Sequence, residues 1–403
     1  FLEIPHAALI ASMQDHQKFF PVRDTADAAR VSHRFLAISN LESRDPEQVR
    51  QGYERVIRPR LADARFFFEQ DLKKPLEASL PLLDRVVFQQ KIGTVGDKSR
   101  RISSISSFIA EELKIESAPC KRAGLLAKCD LMSQMVGEFP ELQGEMGRHY
   151  AIASGEPKTV AVAIAEHYAP RFAGDDIPSS PTGQVVGLAD RADTLIGVFA
   201  AGLKPSGNKD PFALRRAALG MVRILLEAGL TLHPRKILAY AAQCLDDQLP
   251  AGEEVVEAVT GFIVERLRHY YAGLGFPTEL VNAALASPWR DLPDLDRRLR
   301  SLSEFMNAPS APGLAASNKR IGNILRKSGH EKIEDVNDEL LHLSEERELF
   351  SEIVKVEETV SPLLVNGDYG TSLDKLARLE GPIDRFFDAV MVMDEDPALR
   401  ANR

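Results

Sequence analysis

Apolar residues recur every three to four positions along most of the chain, a spacing that predicts a mainly α-helical, multidomain protein. The clearest example is residues 204–229, where a polar loop precedes a long helix. Asp210 suits the cap of this helix, Pro211 its first position and Gly229 its end. The apolar positions that share one face are Leu214, Ala217, Ala218, Met221, Leu225 and Ala228.

Residues 1–45 have a different pattern, which predicts the remnant of a small α/β domain. A short helical pattern covers residues 5–13, and residues 34–39 are typical of a largely buried strand. A hairpin from about residue 19 to residue 39 would turn at 24–29. His16 is the lone histidine of a polar stretch without a second ligand at metal spacing, so we interpret it as a surface or capping residue.

A long helix is predicted over residues 46–78, and Pro59 is expected to kink it or to start a second helix. Arginines recur along this segment, and aromatic residues follow at 66–68. Such arginines could track an RNA backbone, or they could pair with acidic neighbours on the same helix. The pattern favours ion pairing but leaves both alternatives open for Arg58, Arg60 and Arg65.

Four cations, Lys204, Lys209, Arg215 and Arg216, gather at the loop and first turn of the helix after Asp210. Cations at a helix N-terminus oppose the helix dipole, so local helix stability does not explain them. They are either a solvated helix start or a contact for phosphate, and the sequence leaves both interpretations open.

Two apolar helical segments contain acids, one with the pair Cys129-Asp130 and one with Asp190. The Ala-Asp ending at Asp190 resembles the HD phosphohydrolase fold, in which a His, a His-Asp pair and a distant Asp bind divalent metal. Cys129 stands where the His of the pair belongs, and His149 and His167 are each single. Metal hydrolysis needs several correctly placed ligands. We therefore predict a degenerate HD-like helical domain over residues 46–230 without metal; a metal-dependent HD-type phosphohydrolase is the alternative.

The remaining chain is also predicted to be helical, with a connecting region at 231–300 and a last domain at 301–403. A helix near residues 315–327 is predicted to turn Ile321, Ile324 and Leu325 inward and to leave a basic patch outside. Phe386 and Phe387 share a face with apolar neighbours and are interpreted as core residues. A charge run is usually a solvated face, so this patch alone favours RNA only weakly.

Composition limits the possible functions. The net charge of -9 over 403 residues argues against indiscriminate nucleic-acid binding but allows a local basic face. Three cysteines without a CxxC pair fit a reduced, cytoplasmic protein. No apolar run approaches membrane-spanning length, so no membrane association is expected. Because the chain begins at Phe1, we expect it to be a fragment.

Five segments together resemble one known family, the beta subunits of bacterial-type, heterotetrameric glycyl-tRNA synthetase. They are DHQKFFP at 15–21, RPRLADARFF at 58–67, MVGEFPELQG at 135–144, SGNKDPFALRR at 206–216 and GPIDRFFDAVMV at 381–392. The segments are long, occur in order and span essentially the whole chain. The resemblance implies that the chain lacks the family's N-terminal region and its extreme C-terminus.

The resemblance also implies a division of labour. The alpha subunit would hold the class II active site and use ATP and Mg²⁺, so this chain would contain no catalytic residue and bind no cofactor or metal. The expected partners are glycine tRNA, the alpha subunit and a second beta subunit. Residues 301–403 would form a DALR-type helical anticodon-binding domain. The candidate tRNA contacts are Arg58, Arg60, Arg65, Lys209, Arg215, Arg216, Asn318, Lys319, Arg320, Asn323, Arg326, Lys327, Arg400, Asn402 and Arg403.

Overall fold

The computed structural model of the chain describes residues 1–24, 30–40, 42–245, 249–328 and 336–403, apart from the side chains of residues 15, 16, 327 and 328. The chain divides into two compact units, Phe1–Leu267 and Arg268–Arg403. Each unit is mainly helical, which confirms the predicted fold class. The predicted domain boundaries near 45, 230 and 300 stay predictions.

The first unit begins with the small α/β piece that the sequence predicts. Helix α1 (His6–Gln17) precedes the antiparallel strands β1 (Phe20–Arg23) and β2 (Val31–Leu36). The prediction of a buried strand at 34–39 was wrong, because β2 begins earlier and Leu36 is 63% exposed. Residues 25–29 of the turn predicted at 24–29 and the side chain of His16 lie outside the described residues.

Helix α2 (Pro46–Asp71) follows, and the Asp45 carboxylate accepts the Gln48 N–H at 3.2 Å to cap it. The helix continues through Pro59 as one element, so of the two predicted alternatives, a kink or a second helix, the second helix was wrong. It also ends before residue 78. The carboxylate of Asp71 there accepts the backbone N–H groups of Gln134 and Met135, at 2.9 and 3.0 Å. The end of α2 is thereby tied to a segment more than 60 residues away, which residue spacing cannot reveal.

The rest of the first unit is a helical array around one buried helix, α9. In that helix Leu188, Leu195 and Ile196 have no exposed surface. It packs against α4, α5, α8, α10 and α11. The elements are α3 (Leu80–Leu83), β3 (Val87–Gln89), β4 (Gly93–Thr94), α4 (Val95–Glu112), α5 (Ser117–Leu126), α6 (Gln134–Glu138), α7 (Glu145–Ala153), α8 (Lys158–Glu166), α9 (Pro181–Ala200), α10 (Leu214–Glu227) and α11 (Pro234–Leu245). The division between the units, after Leu267, falls within the next helix, α12 (Glu253–Gly273).

Helix α10 begins later than the sequence predicts. The Ala213 N–H bonds the Asp210 carbonyl at 3.1 Å and Ala213 is left-handed (φ 53°), so residues 211–213 form a turn rather than the first helical residues. Asp210 still caps the helix, because its carboxylate accepts the N–H groups of Leu214 and Arg215 at 2.8 and 2.9 Å. The predicted end is confirmed, with Gly229 at φ 65° just after the last turn.

The second unit is a helical bundle in which α16 packs against α17 and α18. Phe386 in α18 is buried, as predicted, and Phe387 is half-buried. At the start of α14 the buried carboxylate of Asp294 accepts the Tyr369 hydroxyl at 2.6 Å. The elements are α13 (Thr278–Ala286), α14 (Leu292–Phe305), α15 (Ala311–Ser328), α16 (Ser344–Asn366), α17 (Tyr369–Leu376), α18 (Glu380–Ala389) and α19 (Pro397–Asn402).

Replacing Asp210→Ala removes the acceptor of two N–H groups at the start of α10. We expect the free energy of unfolding to fall by about 1 kcal/mol, the usual contribution of a helix cap. Chemical denaturation of the variant beside wild type measures the change. Asp176→Ala, which removes an exposed acid elsewhere in the same unit, is the matched control. Equal stability of both variants would show that the contact of Asp210 with α10 is dispensable.

Candidate functional site

A buried cluster of charges lies where the sequence predicts the degenerate HD site. Both oxygens of Asp190, on α9, pair with lysines: Oδ1 with Lys98 Nζ at 2.7 Å and Oδ2 with Lys128 Nζ at 2.8 Å. The two lysine side chains are only 5% and 7% exposed. Lys98 comes from α4, and Lys128 follows the end of α5. The Asp190 carboxylate therefore joins three segments of the helical array.

Asp193, one turn further along α9, extends the same cluster. Its Oδ1 accepts Arg101 Nε at 2.5 Å, and its Oδ2 lies 3.0 Å from Lys98 Nζ. Lys98 thus bridges the two carboxylates, and Arg101 completes the set on α4. We call these residues, with His167, the Asp190 cluster: Lys98, Arg101, Lys128, His167, Asp190 and Asp193.

His167 is the uncharged member of the cluster. Its ring is completely buried, with Nδ1 2.7 Å from the Ile164 carbonyl and Nε2 2.8 Å from Lys128 Nζ. A carbonyl can only accept and an ammonium can only donate, so Nδ1 carries the proton and Nε2 accepts. Burial, together with the charge of Lys128, holds the pKa of His167 well below its ordinary value of 6.5.

The ionisation of Asp190 is decided by its partners. Burial alone would raise the pKa of this carboxyl, but Lys128 and Lys98 outweigh burial and hold the pKa well below its ordinary range. The carboxylate is therefore charged and is already paired on both oxygens. An ammonium group therefore lies within 3 Å of each oxygen with which this carboxylate would bind a divalent cation.

The other two residues of the predicted degenerate site have different environments. Burial raises the pKa of Cys129 to about 12, so this residue is a neutral thiol. The Oδ2 of Asp130 accepts the N–H groups of Gly144 at 2.5 Å and Gly147 at 3.0 Å. Gly144 has φ 84°, and a Cβ atom at position 147 would lie only 2.6 Å from Ile164 Cγ2, so both positions favour glycine. Asp130 thus organises the backbone around residues 144–147.

Within the described part of the chain, no three His, Cys, Asp or Glu residues are placed to hold a metal ion together. The metal-free interpretation of the site remains a prediction. Sequence reasoning identified the missing imidazole at Cys129 but overlooked Lys98 and Lys128. Lys128 directly precedes Cys129 in the sequence. A lysine beside a degenerate metal motif is the signal that could have indicated an ammonium group, rather than a metal ion, as the partner of Asp190.

The arginines of α2 divide between the two alternatives left open by the sequence. Arg65 pairs with Glu69 at 2.7 Å, and Arg60 lies 3.8 Å from Glu138. Arg58 is exposed and has no acidic partner among the described residues. Ion pairing therefore explains Arg65 best and Arg58 least, and RNA contact by any of them stays a prediction.

The loop before α10 is held by its own backbone. Ser206 and Lys209 exchange backbone hydrogen bonds at 3.1 and 2.9 Å, and the guanidinium of Arg215 donates to the Gly207 carbonyl at 2.6 Å. The Arg215 side chain thus stabilises the loop. Lys209 and Arg216 are exposed and have no acidic partner among the described residues.

The basic face of α15 contains a stacked pair of side chains. The guanidinium carbon of Arg320 lies 3.9 Å from the centre of the Phe387 ring, and Arg320 is exposed. Asn323 accepts from Arg326 at 2.6 Å. Asn318 and Lys319 are exposed on the same helix, and the side chain of Lys327 is outside the described residues. The prediction that Leu325 faces inward was wrong, because its side chain is 47% exposed.

The last candidate residues have internal partners. Arg403 pairs with the buried Glu346 at 2.5 Å and with Asp394 at 2.7 Å, and its side chain is only 7% exposed. The Asn402 side-chain oxygen accepts the Asn337 N–H at 2.7 Å. Arg400 donates to the Asp394 carbonyl at 3.3 Å. These contacts give the three residues a structural role, and their contact with RNA stays a prediction.

Comparison with known proteins identifies two matching families. The family described as glycyl-tRNA synthetase beta subunit matches residues 1–286, and the DALR anticodon binding domain matches residues 314–403. Proteins named glycine--tRNA ligase beta subunit from Chromohalobacter salexigens and Aeromonas hydrophila are each 46% identical to the chain, and one from Xanthomonas campestris is 47% identical. Each alignment covers 100% of this chain and 58% of the relative. No helix in the described ranges is long and apolar enough to cross a membrane.

Lys128→Met removes one of the two ammonium groups that face Asp190. We expect the free energy of unfolding to fall by about 3 kcal/mol, the low end for a broken buried ion pair, because Lys98 still faces the carboxylate. Denaturant unfolding of the variant measures this loss. Lys158→Met, at an exposed lysine, is the control and should change stability by less than about 0.5 kcal/mol. A Lys128→Met variant as stable as the control would contradict the role assigned to the cluster.

The buried neutral His167 makes stability depend on pH. An unfolded chain protonates this ring near pH 6.5, whereas the folded chain does not, because its pKa is lowered. Stability should therefore fall as pH drops below 6.5, by up to about 1.4 kcal/mol per pH unit from this residue. Unfolding at about pH 7.5 and about pH 5.5 should show a smaller decrease for His167→Gln than for wild type. Identical pH dependence of the two proteins would contradict the assignment.

Proposed function

The chain belongs to the glycyl-tRNA synthetase beta subunit family, and from this membership we propose that it is the tRNA-binding part of a glycine–tRNA ligase. The chain spans 58% of the length of the curated relatives it matches, so the activity of the whole enzyme belongs to the proposal. Under this proposal, the alpha subunit activates and transfers glycine with ATP and Mg²⁺. This chain has no catalytic residue, binds no cofactor and associates with the alpha subunit and a second beta subunit in the cytoplasm.

The observation that carries the proposal is the stack of Arg320 on Phe387 in the region that matches the DALR anticodon binding domain. The guanidinium is planar, and one of its faces is used by the phenyl ring. The exposed side chain keeps the other face available to an unpaired base, and proteins often recognise single-stranded RNA by such stacking. Phe387 is itself held edge-to-face by Phe386, with the ring centres 5.4 Å apart.

Hydrogen bonding would supply the specificity of this site. Cytosines at the second and third positions of glycine anticodons present O2 and N3 acceptors and an N4 donor. The guanidinium of Arg320 can donate to the acceptors, and the amide of Asn323 can donate or accept. Both residues lie on α15, one turn apart, so one short stretch of anticodon could contact both.

Exposed cations elsewhere would contact the RNA backbone. Lys209 lies on the loop before α10 and Arg58 on α2, both without an acidic partner in the described part of the chain. Contacts of this kind add affinity for any tRNA and position the molecule without reading its sequence.

The alternative function is a metal-dependent phosphohydrolase centred on Asp190. Lys98 and Lys128 pair with both oxygens of that carboxylate, and Cys129 is a buried thiol. A divalent cation would have to displace two buried ammonium groups to reach Asp190. These contacts disfavour the alternative, and no observation in the described residues favours it.

Anticodon recognition by Arg320 is tested with the intact protein and glycine tRNA. Arg320→Ala should weaken cognate binding roughly fivefold or more, the loss typical of one stacked base, and should reduce discrimination against a tRNA with a changed anticodon. Phe387→Leu should have a similar, smaller effect because it removes the ring under the guanidinium. Equilibrium binding of both tRNAs measures these changes.

The matched control is Arg385→Ala, an exposed arginine of α18 that pairs with Glu348 at 2.6 Å. This variant should bind both tRNAs as wild type does. Equal weakening of cognate and changed tRNA by Arg320→Ala would assign Arg320 to the RNA backbone. No weakening at all would move the anticodon site elsewhere.

A further inference from the structure

A cleft of about 700 Å³ opens beside the Asp190 cluster in the first unit. Its walls come from α9, from the segment after α8 and from the start of α10, and they include Tyr168, Arg171, Asp190, Phe212 and Arg216. This volume is in the range that encloses a ligand of drug size, which is also the size class of a nucleotide. The cleft therefore lies between residues 212–216, the FALRR segment after the loop, and Asp190 of the predicted degenerate HD site.

The guanidinium groups of two arginines at the cleft, Arg171 and Arg216, form no ion pair within the described ranges. Arg216 is exposed and has no acidic partner in the ranges that the structure describes. The guanidinium of Arg171 donates to the Gln143 carbonyl at 3.4 Å, a long contact, and lies 5.8 Å from the centre of the Tyr168 ring. Both guanidinium groups can accept an anionic partner without first breaking an ion pair.

The acids at the cleft do not cancel this positive charge. Asp190 is paired with Lys98 and Lys128, so its carboxylate adds little net negative charge to the floor. Glu141 also lines the cleft and is exposed. The carboxylate of Asp175 also lies beside Arg171, whose backbone N–H it accepts at 2.6 Å. Three arginines oppose these acids, because Arg191 lines the cleft together with Arg171 and Arg216, so the local charge balance is positive and favours phosphate over a cationic ligand.

Aromatic side chains accompany the two arginines. Phe172 directly follows Arg171 and is 64% exposed, an unusual exposure for so large an apolar side chain. Phe212 lines the cleft itself and is half-buried. Arginines next to accessible aromatic rings are the combination with which proteins bind single-stranded nucleic acid, because bases stack on the rings and phosphates pair with the cations.

We propose that this cleft binds a single-stranded segment of RNA, with phosphates at Arg171 and Arg216 and bases against Phe212, which lines the cleft, and against Phe172, the exposed neighbour of Arg171 in the chain. The inference rests on the proposed function, in which the partner is tRNA, and it adds a second site in the first unit, distinct from Arg320. Paired RNA would not satisfy it, since the bases of a duplex are stacked on each other and are not free to contact the rings. The unpaired 3′ end of tRNA and its unpaired loops offer the same chemistry.

The test measures binding of glycine tRNA by the intact protein over a range of KCl concentrations. Arg171→Ala/Arg216→Ala should lower the slope of log affinity against log salt by about 1.4, or about 0.7 for each single-strand phosphate contact. The matched control is Arg85→Ala/Lys158→Ala, which removes two exposed cations outside the cleft and should leave the slope unchanged.

Phe172→Ala tests the stacking part of the proposal. It should weaken tRNA binding roughly fivefold or more without changing the salt slope, because it removes a ring and no charge. The matched control is Ile152→Ala, since Ile152 is also exposed, at 54%, and lies in the same unit. Because Phe172 is largely exposed, its replacement by alanine should leave the fold intact, and a loss of tRNA affinity would not be due to misfolding.

Three RNAs identify the source of the strand: glycine tRNA, the same tRNA without its unpaired 3′ nucleotides, and a fully paired duplex. If the effect of the double variant disappears with the shortened tRNA, the cleft binds the 3′ end; if it persists, the cleft binds an unpaired loop. Both results support the proposal. A double variant equal to its control on both tRNAs, or one that weakens duplex binding as much as tRNA binding, would overturn it.

The same data separate this inference from the proposed function. If the cleft variants bind tRNA normally while Arg320→Ala binds it weakly, the cleft is not an RNA site, and the proposed function is unaffected. Failure of the wild-type protein to bind glycine tRNA under any condition would overturn both.

Discussion

The pairing of Asp190 with Lys98 and Lys128 is the interaction on which the first unit depends. Helix α9 is the most buried helix of that unit, and its two carboxylates would be very costly inside the helical array without cations. Lysines from α4 and from the end of α5 supply those cations. Removal of either lysine would leave part of the negative charge of Asp190 without a counter-charge, at the point where the packed helices meet.

The same pairing limits the chemistry of the site. A metal ion at this carboxylate would compete with the two ammonium groups that lie within 3 Å of its oxygens. His167 is likewise engaged on both ring nitrogens. We therefore interpret the Asp190 cluster as a structural element. The positively charged cleft lies directly beside it.

Sequence patterns predicted the buried faces and the ends of helices better than they predicted which side chains contact each other. The buried face of α10 and its end at Gly229 follow from spacing and from glycine's access to positive φ. The start of α10 was missed because Ala213 adopts a left-handed conformation that the preference of Pro211 for a first helical position does not reveal. The strand at 34–39 was placed late for a related reason: apolar residues such as Leu36 and Ile38 are exposed in the structure, whereas periodicity assumes that apolar means buried.

Long-range partners account for the other differences. Arg403 was expected on the surface, yet it pairs with Glu346, which is 57 residues away in the chain. Lys98 and Asp193 are 95 residues apart, so nothing in their local sequence indicates a contact. The resemblance to a family supplied the function that such patterns could not, and the two family matches agree with it.

The most direct measurement of the central claim is a nucleotide-resolution footprint of glycine tRNA bound to the intact protein. The account predicts protection at the anticodon, together with protection of a second, unpaired segment elsewhere in the tRNA. Protection confined to paired stems, with the anticodon as reactive as in free tRNA, would contradict it.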